Sequence, residues 1–125
     1  MPTFHHRISK EARRKIVDVL LRRRSMRDLA RTLDISPAAV HKYVSGKTHP
    51  SDKILWRMIS IATYEEKQEI STIIMRDLVE GLEEFIEWGI HSKTLTARDL
   101  EELESRLIGA SLRALGEARK IIVKT

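Results

Sequence analysis

The sequence contains no cysteine, no asparagine and a single glutamine. Without cysteine, the chain has no disulfide framework, no thiolate metal site and no thiol nucleophile. Few amide side chains together with 33% charged residues are typical of proteins from thermophiles, which lose thermolabile amides and gain charge. The composition therefore favours a thermophilic source over a chance bias in a short chain.

Long apolar runs are also missing from the sequence. No stretch of about 18 apolar residues occurs, so no membrane-spanning helix is predicted. The first ten residues lack the apolar core of a signal peptide, and we therefore expect a cytoplasmic protein that contacts no membrane. His5 and His6 are too few for a metal-binding tract and are expected to be surface residues.

The patterns that enzymes and metal sites need are missing as well. The five histidines show no HxxxH or HExxH spacing, and no glycine-rich phosphate loop occurs. One group of acidic residues fits a solvated helix surface better than a pair of catalytic carboxylates: Glu80, Glu83, Glu84 and Glu87. We therefore expect no enzymatic activity, no cofactor and no bound metal.

Charge is distributed unevenly along the 125 residues. Residues 1–57 contain 14 Lys and Arg against 5 Asp and Glu, a net charge of +9. Residues 58–125 contain 9 against 13, a net charge of −4. A basic half followed by an acidic half indicates that only the first half meets a polyanion.

Residues 25–51 have the pattern of two short helices joined by a tight turn. Ser25 can cap the first helix, whose apolar residues repeat at spacings of three, four and seven. These residues are Met26, Leu29, Ala30 and Leu33. Asp34 lies at the turn, where a residue that tolerates a left-handed backbone is needed. The segment therefore predicts a helix-turn-helix.

The second helix of this motif is expected to begin at Ser36 and Pro37 and to end at Gly46. At 100° per residue, its larger apolar side chains point to one side and its small, polar or basic ones to the other. The inward side holds Val40, Tyr43 and Val44, and the outward side holds Ala38, His41, Lys42 and Ser45. Such an outward side suits a helix that lies in the major groove of DNA.

Several further positions join the motif at a fairly specific spacing. They are Leu29-Ala30, Val40, Tyr43, Ser45-Gly46-Lys47 and Pro50-Ser51. With them, residues 9–63 resemble the Cro / lambda-repressor-like helix-turn-helix family. The sequence departs from the family in having Asp34 instead of Gly at the turn. It also has Ala38 and Ala39 where longer hydrogen-bonding side chains are frequent. The resemblance implies a DNA-binding domain whose fourth helix closes the core.

Two further helices are predicted around the motif. A helix over about residues 10–23 would bury an apolar stripe and turn its basic residues to solvent. Those basic residues are Lys10, Arg13, Arg14 and Arg22. A helix over about residues 52–63 follows Ser51, with Trp56 off its apolar stripe. The run Arg22–Arg24 has two explanations, which are neutralisation of the helix dipole and contact with DNA phosphates.

The second half of the chain predicts two long helices. The first covers about residues 65–89, and the second covers about 97–123 after a capping box of Thr96 and Asp99. The second repeats Leu100, Leu107, Ala114 and Ile121 every seven residues. This hairpin has more apolar surface than a small headpiece can cover, so residues 65–123 are expected to form a homodimer. A chain cut after Thr63 is then expected to be a folded monomer.

These elements predict an all-α protein with a headpiece of about four helices over residues 1–63 and a two-helix hairpin over residues 64–125. The headpiece would bind double-stranded DNA. Phosphate contacts and structural support are expected from Arg27, Ser36, Lys47 and Thr48. Base-edge contacts are expected from His41, Lys42 and Ser45, with Lys42 on a guanine and with Ala38 or Ala39 on a thymine methyl group.

The function predicted from these features is a sequence-specific transcriptional regulator, and more specifically a repressor that binds an inverted-repeat operator as a homodimer. One alternative is an adaptor or antitoxin that uses its acidic half to bind a protein partner. Another is a nonspecific architectural DNA-binding protein. Competition with random-sequence DNA would separate the last possibility from a regulator, which should prefer its site by at least about 10³-fold.

Overall fold

The structure, a computed structural model, describes residues 2–124, and the side chains of residues 2–120. Its elements are a 3-10 helix, Phe4–Arg7, and six α-helices: α1 Lys10–Leu21, α2 Met26–Leu33, α3 Pro37–Ser45, α4 Asp52–Ile61, α5 Tyr64–His91 and α6 Ala97–Lys124. No strand occurs within residues 2–124. The prediction of an all-α fold, with a helix-turn-helix followed by long C-terminal helices, is confirmed. None of the helices described is both long and apolar enough to cross a membrane.

Serine hydroxyls cap the first four helices, as the sequence predicted. In each case the Oγ atom accepts a hydrogen bond from a backbone N–H three residues later, at 3.1–3.3 Å. The four caps are Ser9, Ser25, Ser36 and Ser51. Each cap stabilises its helix by about 1 kcal/mol, because it satisfies a donor that the helix itself leaves without a partner. The local sequence therefore sets where these helices begin.

Capping boxes begin both long helices. The one before α6 was predicted: Asp99 N donates to Thr96 Oγ1 at 3.2 Å, and Thr96 N donates to Asp99 Oδ2 at 3.0 Å. These bonds from Thr96 lower the pKa of the Asp99 carboxyl. The sequence analysis missed an equivalent box, in which Glu66 N donates to Thr63 Oγ1 at 3.2 Å and Thr63 N to Glu66 Oε1 at 2.9 Å. The Thr-x-x-Glu spacing would have revealed it.

One apolar core holds together the first compact unit of the chain, which extends through Leu82. Its largest fully buried side chains come from five helices: Ile16, Val17, Leu20, Leu29, Leu33, Val40, Leu55, Met58 and Ile70. Ile70 and Ile74 of α5 are 1% and 9% exposed, so the first half of α5 packs in the same core as the helix-turn-helix. The division into a DNA-binding headpiece over residues 1–63 and a dimerising hairpin over residues 64–125 stays a prediction.

The second compact unit begins at Glu83 and contains the end of α5 and helix α6. Thr94 N and Leu95 N both donate to Gly89 O, at 3.0 and 3.1 Å, and wrap the connection around the end of α5. A Cβ at Gly89 would lie only 2.8 Å from Leu95 Cβ, so glycine is needed there. The predicted apolar stripe of α6 is largely open to solvent, since three of its large side chains are about half exposed: Leu107, Ile108 and Leu115.

Arg13 was predicted to face solvent, and that prediction was wrong. Its side chain is buried, and its guanidinium donates to three carbonyl oxygens: Nε to Ile8 O at 2.9 Å, Nη1 to Pro50 O at 2.9 Å and Nη2 to His5 O at 3.0 Å. Nη2 also donates to Asp52 Oδ1 at 2.7 Å. Arg13 therefore fastens the N-terminal segment and the start of α4 to α1.

The expectation that His5 is a surface residue was also wrong. His5 is 8% exposed, and its ring centroid lies 5.5 Å from that of Trp56. Trp56 is half-buried and also packs edge-on against Phe4. His6 is exposed, as predicted, and its Nδ1 lies 2.6 Å from Asp52 Oδ2. Hydrogen bonds from His6 and then from Arg13 lower the pKa of Asp52 to about 2.

Candidate nucleic-acid interface

The turn between α2 and α3 has the geometry that the sequence predicted. Asp34 adopts a left-handed backbone with φ +56°, and its N–H donates to Arg31 O at 3.2 Å. Ile35 N then donates to Ala30 O at 3.0 Å, which closes the end of α2. Ala30 is 1% exposed, and its small side chain lets the two helices pack closely. The turn therefore holds α3 at a fixed angle on the core.

Helix α3 is buried on one side and open to solvent on the other. Val40 and Tyr43 are 0% and 8% exposed, and Val44 and Ala39 are half-buried. The exposed side carries Ala38, His41, Lys42 and Ser45. This is the division that the helical periodicity predicted. The parts that these side chains play in DNA binding stay predictions.

Exposed basic and polar residues lie in the segments before and after α3, and we call them the basic rim. Arg27 is exposed in the first turn of α2, and Lys47 and Thr48 are exposed just after Gly46. Gly46 has φ +77°, and the N–H groups of Lys47 and Thr48 both donate to Lys42 O, at 3.0 and 3.4 Å. The left-handed glycine thus turns the chain so that this loop begins beside the end of α3.

Helix α1 adds two cations to this rim that the sequence analysis placed on a solvent face without a role. Lys10, Glu11 and Arg14 line a depression of about 270 Å³ together with Tyr43 and with loop residues that include Lys47. Arg14 Nη1 lies 3.5 Å from the position that a Cβ at Gly46 would take. Only the packing of α1 beside the end of α3 brings these side chains together, so no local sequence signal could have identified them.

Residues 19–61 match the family described as helix-turn-helix. The match covers about a third of the chain, and the matched segment is similar to helix-turn-helix domains. The match confirms the predicted resemblance to the Cro / lambda-repressor-like family for the N-terminal half of the chain, and that family consists of DNA-binding transcription regulators. No curated protein and no solved structure matches the chain.

The arginine run Arg22–Arg24, just before α2, binds carboxylates of α5. The sequence analysis had offered the helix dipole and DNA phosphates as its partners, and it had not included these carboxylates. Arg22 Nη1 lies 2.8 and 2.7 Å from the two Glu69 carboxylate oxygens, and Arg23 Nη2 lies 2.8 Å from Glu65 Oε2. Both pairs are exposed, and such pairs contribute little to stability. Their position nevertheless shows that the run faces α5.

The third pair, between Arg24 and Glu66, is different because it is shielded from water. The Glu66 side chain is 3% exposed, and its two oxygens accept from Arg24 Nη1 and Nη2 at 2.6 and 2.8 Å. Arg24 Nη1 also donates to Leu20 O at 3.0 Å. The bond from Arg24 is the main reason that the pKa of Glu66 falls from its ordinary value of 4.5 to about 2.

The ion pair between Arg24 and Glu66 predicts that the free energy of unfolding decreases in acid. A carboxyl whose pKa is lower in the folded than in the unfolded state stabilises the fold above its unfolded pKa. For Glu66 that contribution is about 3 kcal/mol above pH 5 and disappears as the pH falls from about 4.5 towards 2. Glu66→Gln should therefore have a lower free energy of unfolding at pH 7 and a weaker dependence on pH below 4.5. Urea denaturation at several pH values measures both.

Glu84→Gln is the matched control for Glu66→Gln. Glu84 lies on the same helix, is exposed, and has no ion-pair partner among the residues whose side chains are described. Its stability profile should match that of the unmodified chain, including the acid sensitivity that comes from Glu66 and Asp52. If Glu66→Gln behaved like this control, the buried pair would have no net effect on stability.

Proposed function

We propose that the protein is a sequence-specific transcriptional repressor that binds its operator as a homodimer and thereby occludes a promoter. The observation that carries this proposal is the exposed side of α3, which holds small, polar and basic side chains, within a rim of five cations and polar groups. The rim residues are Lys10, Arg14, Arg27, Lys47 and Thr48. Helix α3 is short, is held on a packed core and exposes small, polar and basic side chains, and these properties suit a helix that enters the major groove.

In this proposal the rim residues bind phosphates and set the position of the helix on the DNA. Lys47 and Thr48 follow α3 directly, so they would meet the DNA backbone beside the groove, and Arg27 would meet it from α2. The Ser36 hydroxyl already accepts from Ala39 N at 3.1 Å, and its hydrogen can still donate to a phosphate oxygen. Phosphate contacts of this kind carry affinity but no sequence information.

Sequence would be recognised by the residues in the centre of the exposed side. Lys42 would donate to O6 and N7 of a guanine, with His41 and Ser45 reaching neighbouring base edges. Ala38 and Ala39 could contact only a thymine methyl group or a base edge at close range. Because these side chains are short, we expect part of the specificity to depend on the shape of the DNA.

Dimerisation would place two helix-turn-helix domains on one side of the DNA. The exposed apolar stripe of α6 supports this part of the proposal, since contiguous apolar surface of that kind marks interaction sites. A two-fold symmetric dimer requires an inverted-repeat site whose half-site centres lie about 10 base pairs apart, or a multiple of that. Selection of bound sequences from a random DNA pool tests the proposal, and sequences without an inverted repeat would contradict it.

Lys42→Ala is expected to weaken binding to the selected site by about 1–3 kcal/mol and to relax the base preference at one position. Titration of labelled site and single-base variants measures both effects. Lys67→Ala is the control, because Lys67 is an exposed lysine on α5, outside the proposed interface. Wild-type affinity together with an unchanged base preference in Lys42→Ala would show that α3 does not read the DNA in this way.

A further inference from the structure

The depression beside the end of α3 is lined by Tyr43, a core residue that carries a hydroxyl. Tyr43 is 8% exposed, and its ring packs in the apolar core. Its hydroxyl makes no hydrogen bond within the described part of the chain, although solvent still reaches the oxygen. Phenylalanine would pack equally well in this place, so the fold does not need the hydroxyl. The hydroxyl is therefore available to bind a ligand.

The cations that line this depression are also without partners. Lys10, Arg14 and Lys47 form no ion pair with any residue whose side chain is described. Arg14 Nη1 lies 3.5 Å from the position that a Cβ at Gly46 would take, so glycine leaves space beside the guanidinium. A free hydroxyl and unpaired cations offer neutral and charged hydrogen-bond donors, and such a set of donors suits an anion.

Two features of the depression oppose an anion, and both are weak. The Glu11 carboxylate lies 3.9 Å from Lys15 Nζ and its side chain is 82% exposed, so solvent and salt screen its charge. The C-terminal end of α3 carries partial negative charge. Two of the last carbonyl oxygens of α3, however, accept N–H groups from residues 46–48 at 3.0–3.4 Å. The three cations therefore leave the depression positive.

The position of the depression beside α3 identifies the anion. The phosphate backbones of DNA form the walls of the major groove, so a helix that lies in the groove has phosphates next to it. We infer that the depression holds one phosphate group of the DNA, to whose oxygens the Tyr43 hydroxyl and the Arg14 guanidinium donate. This inference rests on the proposed function, and it assigns a DNA contact to a side chain that helical periodicity places on the inward side of α3.

Tyr43 suits this task because its ring is held by the core. Burial raises the pKa of the hydroxyl, which therefore keeps its proton and remains a donor. A fixed ring presents that donor without the loss of side-chain freedom that an exposed lysine such as Lys47 undergoes on binding. In this arrangement the hydroxyl fixes the position of the DNA strand, and the cations supply most of the attraction.

Tyr43→Phe tests the inference because it removes only the hydroxyl. It should weaken binding to the selected site about tenfold, and binding to unrelated duplexes by a similar factor, as expected for a lost phosphate contact. Because no charge is lost, the salt dependence of the affinity should stay unchanged, in contrast to Arg14→Met. The free energy of unfolding in urea should also stay unchanged. Tyr64→Phe is the control, because Tyr64 is 77% exposed on α5, and it should bind DNA as the unmodified chain does.

One phosphate per half-site should account for the effect. A series of duplexes, each with one phosphate replaced by an uncharged methylphosphonate, locates the phosphate contacts of the unmodified chain. At one position this replacement should weaken binding of the unmodified chain but cost Tyr43→Phe much less, because the contact is already lost. If Tyr43→Phe bound as tightly as the unmodified chain, or were weakened without being spared at any one position, the inference would be overturned and the proposed function would stand.

Inorganic phosphate separates a DNA phosphate from a free one, which has the same chemistry. At constant ionic strength, phosphate should displace DNA no better than chloride does, because the depression supplies only part of the contacts. Displacement by phosphate that disappears in Tyr43→Phe would identify a free anion as the occupant and overturn the assignment to DNA. A chain that binds no duplex at all would contradict both this inference and the proposed function.

Discussion

A chain that ends after Thr63 is expected to unfold at a much lower urea concentration than a chain that ends after Leu82. The shorter chain lacks Ile70 and Ile74, whose burial stabilises the fold by about 1.5–3 kcal/mol each. It also lacks Glu66, which leaves the partly buried guanidinium of Arg24 without its carboxylate. Since small domains have a total stability of about 5–15 kcal/mol, these losses should leave the shorter chain largely unfolded.

This expectation replaces the one from sequence, in which a chain cut after Thr63 was a folded monomer. Circular dichroism during urea denaturation compares the two fragments, with the full chain as the reference. The fragment that ends after Leu82 retains every residue of the apolar core and should have a cooperative transition. Similar midpoints for the two fragments would show that α5 adds little to the stability of the helix-turn-helix domain.

Arg13→Met is expected to destabilise the first unit by about 3–5 kcal/mol. Methionine preserves most of the side-chain volume but removes the charged donor from the carbonyl oxygens of His5, Ile8 and Pro50. Hydrogen bonds from a charged donor to buried acceptors contribute about 1.5–3 kcal/mol each, and acceptors left without a donor are costly. Urea denaturation of the full chain at pH 7 measures the loss.

Arg14→Met is the matched control for this substitution. Arg14 is the next residue of α1 and is exposed, so its replacement should change the free energy of unfolding by less than about 0.5 kcal/mol. In DNA binding the order should be reversed, with the larger loss of affinity in Arg14→Met. Arg14→Met should weaken binding to all sequences alike and reduce the salt dependence by about one phosphate contact. Equal stability of the two variants would show that the buried contacts of Arg13 are not required.

Patterns within a few residues determined much of the fold and of the candidate interface. The serine caps, the left-handed turn at Asp34 and the end of α3 at Gly46 all depend on the backbone preferences of one to four residues. The exposed side of α3 followed from helical periodicity alone, because Val40 and Tyr43 must face the core. The resemblance to a helix-turn-helix family depended on the same local spacing.

Contacts between distant segments decided the rest. Periodicity shows which side of a helix is apolar, but it does not show which segment will cover a polar side chain. Arg13 is buried because carbonyl oxygens of residues 5, 8 and 50 converge on it, and those acceptors lie as far as 37 residues away in the sequence. For the same reason the arginine run faces α5, and Lys10 and Arg14 join the rim of α3, only once the helices have packed.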